Sequence, residues 1–298
     1  MFQDKEIKIE HLVFSGGGHI LFKMLGIVES LLETNTISFS NIKTIYGTSA
    51  GSIIGAMLCI GYHKKINHLI NYFIKRPWHT VFSIQVSDII SLYQTKGIFS
   101  ADKILTCFKP LFDANDIPLT ITLSELYILS SVELHFITFE VNAYKTVDIS
   151  HLSHPHLSVL SAIQMSCGIP LLVTPVCIDG QCFIDGGVEY NYPLEFCIRS
   201  GHDINTILGF KTVYDDNPTE ETTGHITSES NLLEFAVKCL TNMIYNVGNA
   251  HMHTYTIPYE IECINCHISF SHLQTIVCNE ELRQSLFDDG KRWQFIKK

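Results

Sequence analysis

Thr44-Ile45-Tyr46-Gly47-Thr48-Ser49-Ala50-Gly51-Ser52 is the stretch on which the reading of this chain turns. A β-rich run over 42–46 leads into Gly47-x-Ser49-x-Gly51, and a long apolar run follows. The pattern predicts a strand, a sharp turn, and a helix that starts at Ser49 and runs over 50–62. A serine on such a turn exposes its hydroxyl in a crowded stretch of backbone. Gly47 and Gly51 remove the Cβ atoms that would clash there. The N-terminus of the helix favours negative charge developing nearby. Gly-x-Ser-x-Gly also arises by chance, so support must come from elsewhere in the chain.

Upstream, an apolar strand over 11–14 runs into Ser15-Gly16-Gly17-Gly18-His19. Helical spacing follows, with Leu21, Met24, Leu25, Val28, Leu31 and Leu32 on one face. Three readings compete for this glycine loop beside that of a plain turn. A dinucleotide fingerprint needs a third glycine where Leu21 stands, and a Walker loop needs a terminal Gly-Lys-Ser/Thr. The third reading is an oxyanion hole, in which the N–H groups of Gly16, Gly17 and Gly18 converge on one oxygen because no side chain blocks them.

Downstream, a short hairpin turning at Gly180 delivers Asp185-Gly186-Gly187, followed by Asn191-Tyr192-Pro193. A lone Asp-Gly reads first as a turn. Two glycines behind the aspartate make a narrow loop that can aim a carboxylate into a cleft. Further strands are expected over 133–141, 203–213 and 258–270. Helices are expected over 64–78, 100–108, 158–167, 232–245 and 279–287, with Gly290 past the end of the last. A loop is expected from Pro110 to Pro118, and a polar loop over 214–230. His251, His253, Cys263, Cys266 and His267 invite a zinc reading, but the Cys-x-x-Cys falls in an alternating strand pattern, and no metal is expected.

The chain has 298 residues, with 46% hydrophobic and 17% charged, which suits a packed α/β domain. A formal net charge of −10 argues against nucleic acid as the main partner, because phosphate contacts need clustered Lys and Arg. The charged start of the chain does not read as a secretory signal. The ten cysteines are therefore expected as reduced thiols, several of them (Cys59, Cys107, Cys177, Cys197, Cys239) as small hydrophobes in apolar runs. A cytoplasmic location, peripheral on membranes, is expected.

Taken together, these stations resemble the patatin-like phospholipase family. The resemblance rests on Ser15-Gly16-Gly17-Gly18, Gly47-Thr48-Ser49-Ala50-Gly51, and Asp185-Gly186-Gly187 with Asn191-Tyr192-Pro193. Lys96-Gly97-Ile98-Phe99 and Ser166-Cys167-Gly168-Ile169-Pro170 add to it, over about residues 8–200. It implies a three-layer α/β/α sandwich with a mostly parallel sheet. A patatin-like catalytic core would span 8–200, with 201–298 continuing the same domain. It also implies a Ser49–Asp185 dyad acting on acyl esters of phospholipids or other lipids, with no cofactor and transient membrane contact. The family usually follows its glycines with one residue, a basic residue and a glycine, where this chain has His19-Ile20-Leu21.

The rivals are a triad hydrolase using one of the fifteen histidines, a lipid-binding protein without turnover, and a lipid acyltransferase. An elbow at residue 49, with an Asp-Gly-Gly downstream, favours the dyad over the triad.

Overall fold

The computed structural model describes residues 8–214, 226–251, 255–265 and 270–295. Its strands are β1 (His11–Phe14), β2 (Thr44–Thr48), β3 (Gly97–Phe99), β4 (Glu133–Glu140), β5 (Lys145–Ile149), β6 (Leu171–Val173), β7 (Val176–Ile178), β8 (Gln181–Asp185), β9 (Ile207–Tyr214) and β10 (Tyr259–Asn265). The helices are α1 (Ile20–Glu33), α2 (Ala50–Cys59), α3 (Ile66–Lys75), α4 (Trp78–Val81), α5 (Val86–Thr95), α6 (Ala101–Asp113), α7 (Leu123–Ser130), α8 (Val159–Ser166), α9 (Leu194–Arg199), α10 (Leu232–His251), α11 (Phe270–Cys278) and α12 (Glu280–Gly290).

The strand that carries the elbow lies mid-sheet, in the order β10-β9-β1-β2-β4-β8-β7, with β5 also on β4. From β10 to β4 the neighbours are parallel; β5, β8 and β7 are antiparallel additions. Helices flank this mixed, mostly parallel sheet, as the expected sandwich requires. Strand periodicity sorts the side chains between two cores. Leu12, Phe14 and Ile45 join the large cluster packed with α1, α2 and α8. Val13 and Tyr46 belong to a second cluster, with Leu194 and Cys197 of α9.

One register decides where the site forms. β4 outruns β2: their pairing ends at Thr48↔Ile137. The next residue of β4 pairs with β8 instead, at Thr138↔Asp185. When β2 leaves the sheet at the elbow, β8 takes its place along β4, and Asp185 arrives head-on at the turn.

Several expectations need correction. The helix expected to end near 108 continues as α6 to Asp113, with Pro110 inside it. Proline deprives the Thr106 carbonyl of its helical donor. Arg76 supplies one, Nη2 donating to Thr106 O at 2.9 Å and Nη1 to Cys107 O at 3.3 Å. Leu111 and Phe112 are buried and hold this last turn on the core. Gly290 closes α12 rather than following it, packed against the Lys23 carbonyl of α1. In the β7–β8 hairpin, Asp179 and Gly180 have φ of 49° and 78°, the signs a tight two-residue turn prefers. The register then sets Cys177 opposite Cys182, Cα atoms 4.1 Å apart, and the two are disulfide-bonded rather than reduced. Cys59, Cys107, Cys197 and Cys263 are buried free thiols, whereas Cys239 is exposed. Among the described residues, no group of three His, Cys, Asp or Glu is placed to hold a metal, and no helix is long and apolar enough to cross a membrane. His253, Cys266, His267 and most of the expected polar loop lie outside the described residues.

Candidate active site

The helix after the elbow begins at Ala50, and Ser49 is its N-cap residue, with φ 52° and ψ −119°. A positive φ is costly for any residue with a Cβ and persists only where the surroundings fix it. The surroundings here are specific. The Ser49 N–H donates to Ser166 Oγ at 3.0 Å, and Ser166 Oγ donates to the Ile137 carbonyl at 2.7 Å. The Ser52 N–H and hydroxyl both donate to Ser49 O, at 2.9 and 2.7 Å. A Cβ at Gly51 would stand 2.4 Å from Phe14 O, so β1 can lie against the turn only because that residue is glycine. A Cβ at Gly47 would meet Ser52 Cα at 2.6 Å.

Asp185 ends β8 and is buried, at 4% exposure. Its N–H donates to Gly168 O at 3.1 Å, and its Oδ1 accepts the Gly187 N–H at 2.8 Å. Gly186 lies against the Ile137 carbonyl. Burial raises the Asp185 pKa to about 6; hydrogen bonds from the Ser49 hydroxyl and the Gly187 N–H pull it partly back. The two residues singled out from the sequence therefore come together, the serine hydroxyl near enough to the carboxyl group to lower its pKa.

The glycine loop reaches the same place. Ser15 Oγ donates to Phe210 O at 2.6 Å and accepts the Thr212 N–H at 2.8 Å, tying the loop to β9. A Cβ at Gly16 would lie 3.1 Å from Ser49 Cβ. The Gly16 N–H donates to the Asn191 carbonyl at 2.9 Å. Gly16 is thus removed from the expected oxyanion donors: its amide clamps the glycine loop to the segment after Asp-Gly-Gly. Gly17 and Gly18 have φ of 144° and 58°. Gly18 begins the lining of an apolar cavity of about 270 Å³ that also takes in Cys167 and extends to Ile53, Trp78 and Phe82. Cys167 Sγ lies 3.8 Å from Ser52 Oγ, within hydrogen-bond reach, and burial holds its thiol protonated. The cavity and the buttress Ser166 were not legible beforehand. Ser166 stood within a family stretch but carried no signal of its partner.

The family model for patatin-like phospholipase matches residues 12–198, and the chain belongs to that family. An uncharacterized protein, R571, of Acanthamoeba polyphaga mimivirus is 30% identical over 189 residues, 63% of this chain and 61% of that one. The probable lipid hydrolase 463L of Invertebrate iridescent virus 6 is 26% identical over 192 residues, 63% of each chain. The matched region therefore spans less than two thirds of either viral protein. Among solved structures, VipD from Legionella pneumophila superposes with a TM-score of 0.50 at 17% identity, covering 97% of this chain and 68% of that one, a likeness of fold.

Proposed function

We propose that this protein is a lipid acyl hydrolase of the phospholipase A or lysophospholipase type, using Ser49 as nucleophile and Asp185 as general base. The observation that carries the proposal is the register of β4, which brings Ser49, on a strained elbow, beside a buried carboxyl group whose pKa burial raises to about 6. At neutral pH that group is mostly ionised, and it is a stronger base than an ordinary aspartate. Ser49 Oγ attacks the ester carbonyl as Asp185 takes its proton. The alcohol departs with that proton, leaving an acyl-enzyme. Asp185 then takes a proton from water, which attacks the acyl carbon, and passes that proton to Ser49 Oγ as the acyl–oxygen bond breaks and the fatty acid leaves. Gly17 and Gly18, at the N-terminal side of α1, are assigned to the oxyanion, where one donor contributes about 3 kcal/mol. The neighbouring cavity takes the acyl chain, and the protein reaches its substrate through transient contact with a membrane surface.

The second reading, a lipid-binding protein with little or no turnover, is favoured by the occupied Gly16 amide and by His19-Ile20-Leu21 in place of the family's basic residue and glycine. A fluorophosphonate probe and a panel of phospholipids, lysophospholipids and glycerides decide between them. Labelling and turnover in wild type, both absent in Ser49→Ala, are expected. Lipid binding without either supports the second reading, and turnover that survives in Ser49→Ala overturns the first.

A further inference from the structure

Helix α5 presents its apolar residues to solvent. Val86, Ile89, Ile90 and Tyr93 are 74%, 54%, 74% and 94% exposed. Their spacing puts them on one stripe of the helix. The opposite side is anchored: Leu92 packs on Ile98 and Leu172. The one charged residue within α5, Asp88, is drawn away from the stripe. It accepts the Gln85 N–H at 2.9 Å and pairs with Lys103 at 3.1 Å. Lys103 also donates to Ser83 O at 2.7 Å, pinning the entry to the helix. Just upstream, Phe82 and Trp78 line the apolar cavity that Gly18 and Cys167 also line. The exposed stripe and the cavity wall are therefore consecutive pieces of one chain segment.

Such a stripe can be covered by a second copy of the chain or by lipid. A stable protein interface engages roughly 20–30 residues a side, far more than one stripe of four on a ten-residue helix. The stripe carries no charge to attract an acidic or basic protein. A chain of net charge −10 is also repelled by anionic membranes. An uncharged apolar ridge with an aromatic phenol near its end suits the interface of a zwitterionic bilayer, where aliphatic groups enter the acyl boundary and Tyr93 keeps its hydroxyl among head groups.

We propose that the α5 stripe seats the protein on a zwitterionic phospholipid surface, placing the cavity wall at Trp78 and Phe82 next to the acyl layer. This rests on the lipid-hydrolase reading for its purpose, but it is tested separately, by binding without turnover. Ser49→Ala is mixed with phosphatidylcholine vesicles in a flotation assay, alone and combined with Val86→Glu, Ile90→Glu and Tyr93→Glu. The parent should float with the vesicles, and the combined variant should lose at least ~tenfold in partitioning, since three buried apolar side chains are replaced by charges. With Ser49 intact, the three substitutions should leave hydrolysis of a monomeric soluble ester unchanged and reduce that of vesicle phospholipid to the same degree. The milder pair Ile90→Ser and Tyr93→Ser gives the same comparison if the triple variant fails to fold. Unchanged flotation of a folded variant, failure of the parent to float, or a parent dimer that the substitutions dissociate each overturns the proposal. Flotation lost on schedule in a protein that hydrolyses no ester leaves the surface standing and removes the enzyme.

Discussion

Replacing Asp185 by asparagine should make the protein more stable while abolishing turnover. In the fold the carboxyl group has a pKa of about 6, against its ordinary 3.8, because burial disfavours the charge. The folded state binds the proton more tightly than the unfolded chain does, so stability falls as pH rises from about 4 to above 6. The gap is about two units, and at ~1.36 kcal/mol per unit the ionised carboxylate costs the fold about 3 kcal/mol at pH 8. Asparagine has nearly the same shape and can still accept the Gly187 N–H through its oxygen, but it carries no charge to desolvate. For a chain of this size, with an unfolding entropy of ~2.1 cal/mol/K per residue, 3 kcal/mol corresponds to a rise in Tm of about 5 °C. Thermal scans of both proteins at pH 4 and pH 8 provide the assay. The rise should be full at pH 8 and only a small fraction of that at pH 4, where the wild-type group is protonated in the fold and only about half ionised in the unfolded chain. A variant no more stable than wild type at pH 8, or one stabilised equally at both pH values, refutes the reasoning.

The same pKa predicts that kcat/KM for a soluble ester climbs with pH through about 6 and then levels off, a profile read directly from initial rates. Ser166→Ala leaves the buried Ser49 N–H and Ile137 carbonyl without the partner that joins them. It should cost about 1–3 kcal/mol for each unmet group by denaturant unfolding, and lower kcat with KM little changed. His135 lies between Asp148 Oδ1 at 2.8 Å and Glu133 Oε1 at 3.1 Å. Burial alone would lower its pKa, but the two carboxylates outweigh this and raise it to about 9. Its contribution to stability is therefore complete below pH 6.5 and lost as pH rises through 9, and His135→Gln should flatten that part of the stability–pH curve. Phe82→Trp adds bulk to the cavity wall. Turnover of long acyl chains should fall against short ones by about fourfold in kcat/KM for each methylene excluded, from ~0.8 kcal/mol per buried CH₂.

Legibility followed the physics of each segment. β1, α1, the elbow and β4 were readable because their apolar residues face the core with an unbroken period of two or of 3.6. The exposed stripe of α5 has the helical period but the opposite orientation, so 81–98 reads only as an apolar run with scattered polar groups and a stop at Gly97. β5 is a five-residue strand with partly exposed side chains and gave too little pattern to see. Pro110 looked like a helix end because the sequence hides Arg76, which arrives from a distant helix to bond the carbonyl that proline leaves open. At the site, the residue types and spacing pointed to Ser49, Asp185 and the glycine loop. The direction of each N–H did not, and Gly16 turned out to be a clamp. The Cys177–Cys182 bond followed from a hairpin register that composition does not contain.

The pairing of β4 with two successive neighbours makes that strand a ruler laid between the hydroxyl and the carboxyl group. Ile137 is aligned with the last residue before the elbow, and Thr138 with Asp185 itself. One residue inserted between those two marks would displace one arm by a strand step of about 3.4 Å. Both halves of the sheet could keep their ladders, yet the two side chains would no longer meet. Point substitutions elsewhere along β4 are tolerable so long as they fill the space; a change of length at this one joint is not.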